Sequence, residues 1–156
     1  MSRPAVEDQL LIHDLYARYS WALDSGDTEA YVQLYAIDAV VYETAPEGTR
    51  RIEGHDQIRE FVLRFHRNPE FPGRQHRISQ IVMSPDLEGR TDHWQVRSYV
   101  LTTDTKNGYT PNVFWCGYGE DIVGKVDGEW LIKSREIKPW GVDVFTGPDP
   151  SPPSAP

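Results

Sequence analysis

The sequence predicts an α+β domain, with helices gathered in its first half and a meander of strands in its second. Apolar residues recur with helical spacing up to about residue 66, and from residue 74 the period changes from 3.6 to 2. Asn107-Gly108 and Asp127-Gly128, both strong hairpin dipeptides, fall between successive strand-like runs.

The elements follow in order. Residues 5–24 read as a helix, because Ile12, Leu15, Tyr16, Tyr19 and Leu23 share one face of a 3.6-residue period. Asp24-Ser25-Gly26-Asp27 ends it: Gly26 suits a left-handed turn, and Asp27 is a good N-cap for the next helix. That helix, about 28–35, carries Tyr31, Leu34 and Tyr35 inward. The β-branched run Ala39–Glu43 reads as a short strand, and Pro46-Glu47-Gly48 as a turn. A third helix at about 55–66 has Ile58, Phe61, Val62 and Phe65 on one stripe. Arg74–Ser84, Asp92–Thr103, Asn112–Val123 and Trp130–Trp140 read as four long antiparallel strands, with Pro85–Gly89 turning the first into the second. A curved sheet wrapped over the helices forms a cone with a cavity between the layers. Gly147–Pro156 contains five prolines and no large apolar side chain, so the folded domain is expected to span 1–146, followed by a flexible tail.

Composition narrows the function classes. The chain has 156 residues, enough for one domain with a sizeable core. Sixteen basic and twenty-four acidic side chains leave a net charge of −8, which repels phosphate backbones and anionic lipid, so neither nucleic acid nor a membrane is an expected partner. No apolar run approaches the ~20 residues of a membrane span. No basic-then-apolar leader opens the chain, and the single Cys116 has no internal disulfide partner, so the expected compartment is the cytoplasm. HExxH, CxxC and tight His/Cys/carboxylate clusters do not occur, and neither do GxGxxG or a phosphate loop. No metal and no nucleotide cofactor is therefore expected. The Gly117-Tyr118-Gly119 run lies inside a strand and reads as a bend that curves the sheet. Aromatic residues reach 12%, a high share for a small acidic domain, and call for burial or for a ligand.

Tyr19-Ser-Trp-Ala-Leu-Asp24-Ser-Gly-Asp27, followed by Leu34-Tyr-Ala-Ile-Asp38-Ala, resembles the opening of NTF2-like proteins of the SnoaL-like group. Gly54, Ile58 and Phe61 continue the pattern, and Asp127-Gly-Glu-Trp130-Leu-Ile-Lys-Ser-Arg135 is equally typical of its ending. The resemblance spans about 6–140 and implies an NTF2-like cone. The group includes scytalone dehydratase, dehydrochlorinases, bile-acid dehydratases, ketosteroid isomerases and polyketide cyclases, as well as the non-catalytic small subunits of ring-hydroxylating dioxygenases. The match is closest to scytalone dehydratase-type proteins, whose first-helix Asp, first-strand Tyr and meander His correspond to Asp24, Tyr42 and His76. Two pocket residues of that enzyme fall instead near Leu101 and Gly119. The base position of ketosteroid isomerase falls at Glu43. Because a strand alternates faces, Tyr42 and Glu43 cannot both point into the cavity; Tyr42 is expected inward.

The chemistry of these residues is coherent. A carboxylate at the C-terminal end of a helix opposes the macrodipole, and a histidine donating Nδ1–H to Asp24 would compensate it. The same bond would fix the tautomer of His76 and leave its other nitrogen as a general base. Tyr42 would hydrogen-bond a substrate carbonyl and stabilise the enolate. Tyr19 and Tyr99 are further ligand-binding candidates. Arg135 either binds an anion or pairs with an acidic neighbour. Asn112, Trp115 and Trp140 either line the cavity or pack in the core. His13, His55, His66 and His93 read as surface or packing residues. The expected activity is a cofactor-independent dehydratase, isomerase or polyketide cyclase acting on a small apolar, aromatic or polycyclic carbonyl compound. The alternative is a dioxygenase small subunit or a ligand-binding module. Either way a homodimer or homotrimer is expected, to cover the outer face of the sheet.

Overall fold

A computed structural model of the chain describes residues 3–45, 48–105, 110–141 and 144. Helix α1, Val6–Ser25, buries Ile12, Leu15, Tyr16, Tyr19, Ala22 and Leu23, the face set by its apolar spacing. It stops at Gly26, whose φ of 80° is left-handed and whose N–H bonds back to Ala22. The Asp27 side chain then accepts from the Ala30 N–H and caps α2, Thr28–Gln33. This helix is two residues shorter than expected, because Tyr35 already pairs with Ile132 in the sheet.

Strand β1, Tyr35–Ala45, is far longer than the predicted run, and β2, Gly48–Glu53, was not expected at all. In β2 only Ile52 is buried, so Gly-Thr-Arg-Arg carries no alternation for a sequence reading to find. Helix α3, Gly54–His66, buries Ile58 and Val62, with Phe61 and Phe65 packed against the core. Strands β3 (Arg74–Pro85), β4 (His93–Asp104), β5 (Asn112–Val126) and β6 (Glu129–Pro139) form the predicted antiparallel meander. At the β5–β6 turn both Asp127 and Gly128 have positive φ, as a tight Asp-Gly hairpin requires. Residues 46–47, Asn107-Gly108 and the Pro-rich 147–156 lie outside the described residues.

The sheet order is β2-β1-β6-β5-β4-β3, and β1 pairs with β6 in parallel. Register shifts interrupt β1, the β3–β4 ladder after Ser79, and the β4–β5 ladder at Thr102. Such bulges bend a sheet and increase its twist. The six strands curve, without closing, over the helices in an NTF2-like, cystatin-like α+β architecture. The core lies between α1, α2 and α3 and the inner face of the sheet. Among the described residues no helix is long and apolar enough to cross a membrane.

Candidate active site

The C-terminal turn of α1 brings Asp24 against the first residues of β3. The carboxylate accepts the His76 backbone N–H through Oδ2 at 2.7 Å, and its Oδ1 lies 2.5 Å from His76 Nδ1. No basic residue occupies the last turn of α1, so these two donors supply the positive counterpart that the helix end lacks. An ionised carboxylate only accepts, so Nδ1 carries a proton, and in the neutral imidazole Nε2 then keeps its lone pair. Both side chains are 18% exposed. Phe71 stacks on the imidazole, with centroids 5.9 Å apart and planes at 21°.

His76 is part of the wall of a cleft of about 200 Å³, partly open to solvent, which Tyr19, Leu23, Tyr31, Val41, Phe61, Phe65, Phe71, Arg135 and Ile137 also line. The wall is mostly apolar, as ligand pockets are. Tyr31 connects two further hydroxyls, 3.4 Å from that of Tyr19 and 2.8 Å from that of Tyr35. Burial pushes the Tyr31 and Tyr35 hydroxyls well above the usual phenol range, so both stay protonated. Behind this row Arg135 is fully buried and donates Nη1–H to Asp121 Oδ2 at 2.5 Å, while Tyr16 donates to the same oxygen at 2.7 Å. Burial raises the Asp121 carboxyl above its ordinary value, against the pull of Arg135 and the Tyr16 hydrogen bond. Burial works most strongly against the Arg135 charge, but Asp121 together with Tyr19, Tyr35 and Tyr16 outweighs it and the guanidinium stays ionised.

Of five further expected positions, Tyr42 lies at the cleft rim and four fall elsewhere. Tyr42 touches the cleft rim, but its cross-strand neighbours are Arg51 and Glu136. Glu136 pairs with Lys138 and accepts from Thr44, all on the outer side of the sheet. The alternation therefore runs with the opposite parity: Val41 and Glu43 face inward. Glu43 accepts from Arg64 of α3 at 3.0 and 3.2 Å and pairs with Arg50 at 3.2 Å. Tyr99 and Trp140 meet edge to face at 4.9 Å, each 48% exposed, on the outer face beside Tyr118. Tyr99 pairs with Tyr118, one residue out of phase with the inward Ser98 and Gly119. Asn112 is exposed at the start of β5. Trp115 is half-buried over Gly117, where any Cβ would collide with its ring. It shares a row with Thr102 and His76 but does not line the cleft.

Tyr19 and Arg135 thus join Asp24 and His76 at one site. Phe71, Tyr31 and Glu43 were not expected there. Phe71 sits in a Phe-Pro-Gly turn without periodicity, whereas Tyr31 was visible as an inward helix residue. Among the described residues no group of three or more His, Cys, Asp or Glu is placed to hold a metal ion.

The chain belongs to the SnoaL-like domain family, whose model matches residues 4–136. No curated protein shows a significant match. Among solved structures, a protein from Novosphingobium aromaticivorans provisionally named a scytalone dehydratase is 26% identical, with a TM-score of 0.70 over 87% of this chain and 86% of that one. ActVI-ORFA from Streptomyces coelicolor is 18% identical, with a TM-score of 0.74 over 86% of this chain and 98% of that one. An NTF2-like protein with a cystatin-like fold, also from Novosphingobium aromaticivorans, is 20% identical, with a TM-score of 0.74 over 90% and 86% of the two chains. The family match makes the chain a SnoaL-like domain, and the likenesses at 18% and 20% identity carry the fold.

Proposed function

We propose that the protein is a cofactor-independent acid–base enzyme that removes a proton next to a carbonyl group in a small aromatic or polycyclic substrate. Loss of water, isomerisation or ring closure then follows from the resulting enolate. The observation that carries this reading is the Asp24–His76 pair, whose Nε2 lone pair belongs to a residue lining an aromatic cleft. Asp24 holds the tautomer and orientation, and His76 takes the proton, a role worth ~10²–10⁴-fold in rate. Tyr19, backed by the Tyr31 and Tyr35 hydroxyls, takes the hydrogen-bonding part first expected of Tyr42.

Proton abstraction can be tested before the natural substrate is known. A bicyclic ketone such as 2-tetralone, incubated with the protein in D₂O, should exchange its α-hydrogens, followed by loss of their proton NMR signal. The His76→Gln variant should slow the catalysed exchange by ~10²–10⁴-fold with an unchanged circular dichroism spectrum. Equal exchange by both proteins would remove His76 from the mechanism.

A further inference from the structure

Arg135 has the bulkiest fully buried side chain among the described residues, and it is one of the residues lining the cleft that holds His76. Its bonding is one-sided. Nη1 serves Asp121, the Tyr19 ring covers one face with its centroid 4.2 Å from Cζ, and Tyr16 lies at 5.7 Å. Among the described residues, Nε and Nη2 are buried without a hydrogen-bond partner, and so is Asp121 Oδ1. An arginine that served only as a framework partner for Asp121 would gain from the two-pronged geometry in which parallel N–H bonds meet both carboxylate oxygens. The single contact instead reserves one edge of the fork. Buried, unpaired N–H groups are costly and rare in folded proteins, and they concentrate where a ligand or a catalytic role accounts for them.

We propose that this Nε–Nη2 edge is the oxyanion site of the cleft, receiving a carbonyl or phenolic oxygen of a planar aromatic ligand. The catalytic half of the statement rests on the proton-abstraction reading above; the binding half does not. Asp121 balances the guanidinium at rest, so a neutral carbonyl enters a neutral pair. As the proton leaves the adjacent carbon, charge grows on the oxygen and its bonds to the fixed donors strengthen, which is the condition for lowering a barrier. The substrate class is thereby narrowed to aromatic ketones or enols with an ionisable oxygen. That oxygen lies on the Arg135 side of the cleft while the α-carbon faces His76.

A nitronaphthol tests the site directly, because its phenolate absorbs in the visible. The wild-type protein should bind it saturably and hold, at fixed pH, a phenolate fraction at least ~10-fold above that in solution. Arg135→Met alone leaves Asp121 unpaired, so the decisive variant is Arg135→Met/Asp121→Leu, which replaces the pair with apolar groups, a change folds often tolerate. With its fold checked by circular dichroism, it should bind the neutral phenol and lose the enhancement. Asp121→Asn should increase it. In His76→Gln the enhancement should persist while α-hydrogen exchange is lost, so this proposal and the base assignment fail separately. Absent binding or enhancement in the wild type, an undiminished enhancement in the double variant, or its loss in His76→Gln would each overturn the oxyanion role.

Discussion

Two aspartate pairs flank the same cleft and are built on opposite principles. Asp24 and His76 are partly open, and both carboxylate oxygens are satisfied, one by a backbone N–H and one by the imidazole. Asp121 and Arg135 are buried, and three of their polar atoms have no hydrogen-bond partner among the described residues. A satisfied, partly solvated pair can lose or gain a proton without disturbing the fold. A buried pair holds its charges at high cost and breaks badly. The difference separates a group suited to moving protons from one suited to presenting a fixed field.

The largest expected effect tests that contrast. Arg135→Met should destabilise the fold by about 3–5 kcal/mol, since it leaves the buried Asp121 carboxylate without its counter-charge. His76→Gln should cost no more than about 1 kcal/mol, the worth of an ordinary hydrogen bond. Urea denaturation of the two variants beside the wild type measures both. Equal losses would erase the distinction between the pairs.

A third aspartate sharpens it through pH. Asp86 caps the β3–β4 turn, accepting the backbone N–H groups of Glu88 and Arg90 and two guanidinium N–H groups of Arg90. The Arg90 side chain is the main reason its pKa falls from 3.8 to about 2. A carboxylate depressed in the folded state stabilises above its unfolded value and loses that contribution as pH falls through the folded one. The Tm difference between wild type and Asp86→Asn should therefore be full at pH 5–7 and shrink between about pH 4 and pH 2. Asp121, raised by burial, acts in the opposite sense, because the folded state holds its proton more readily than the unfolded chain. A Tm difference for Asp86→Asn that stays constant down to pH 2 would show that the turn does not depend on the charge.

What was legible in the sequence follows from how local each signal is. The apolar stripe of α1, the Gly26 stop and the Asp27 cap are written within a few residues of one another, and all three are present. The Asp24–His76 contact spans 52 positions, and the family resemblance supplied it where no periodicity could. Strand β2 has a single buried residue, so its existence depends on pairing with β1 and not on its own pattern. The parallel β1–β6 pairing is likewise a long-range choice. The inward and outward assignments were the weak point. Alternation says that neighbours face opposite sides but not which is inside, and β1 and β4 were each read one residue out of phase at Tyr42 and Tyr99.

That parity is itself open to experiment and gives the smallest expected effects. Tyr19 lines the cleft at 4% exposure, and its hydroxyl is close to that of Tyr31. Its removal in Tyr19→Phe keeps the ring under Arg135 while deleting one donor at the ligand, worth about 0.5–1.5 kcal/mol for a neutral hydrogen bond, or roughly 2- to 12-fold in the exchange rate of 2-tetralone. Tyr42→Phe deletes a hydroxyl on the opposite side of the sheet, beside Arg51 and Glu136, and should leave that rate within about twofold. The two substitutions remove the same atom from the same residue type, so the ratio of their effects reports position alone. A larger loss in Tyr42→Phe would reverse the assignment and return the first strand's tyrosine to the substrate; a loss confined to Tyr19→Phe would fix the inner face of β1 as the one bearing Val41 and Glu43.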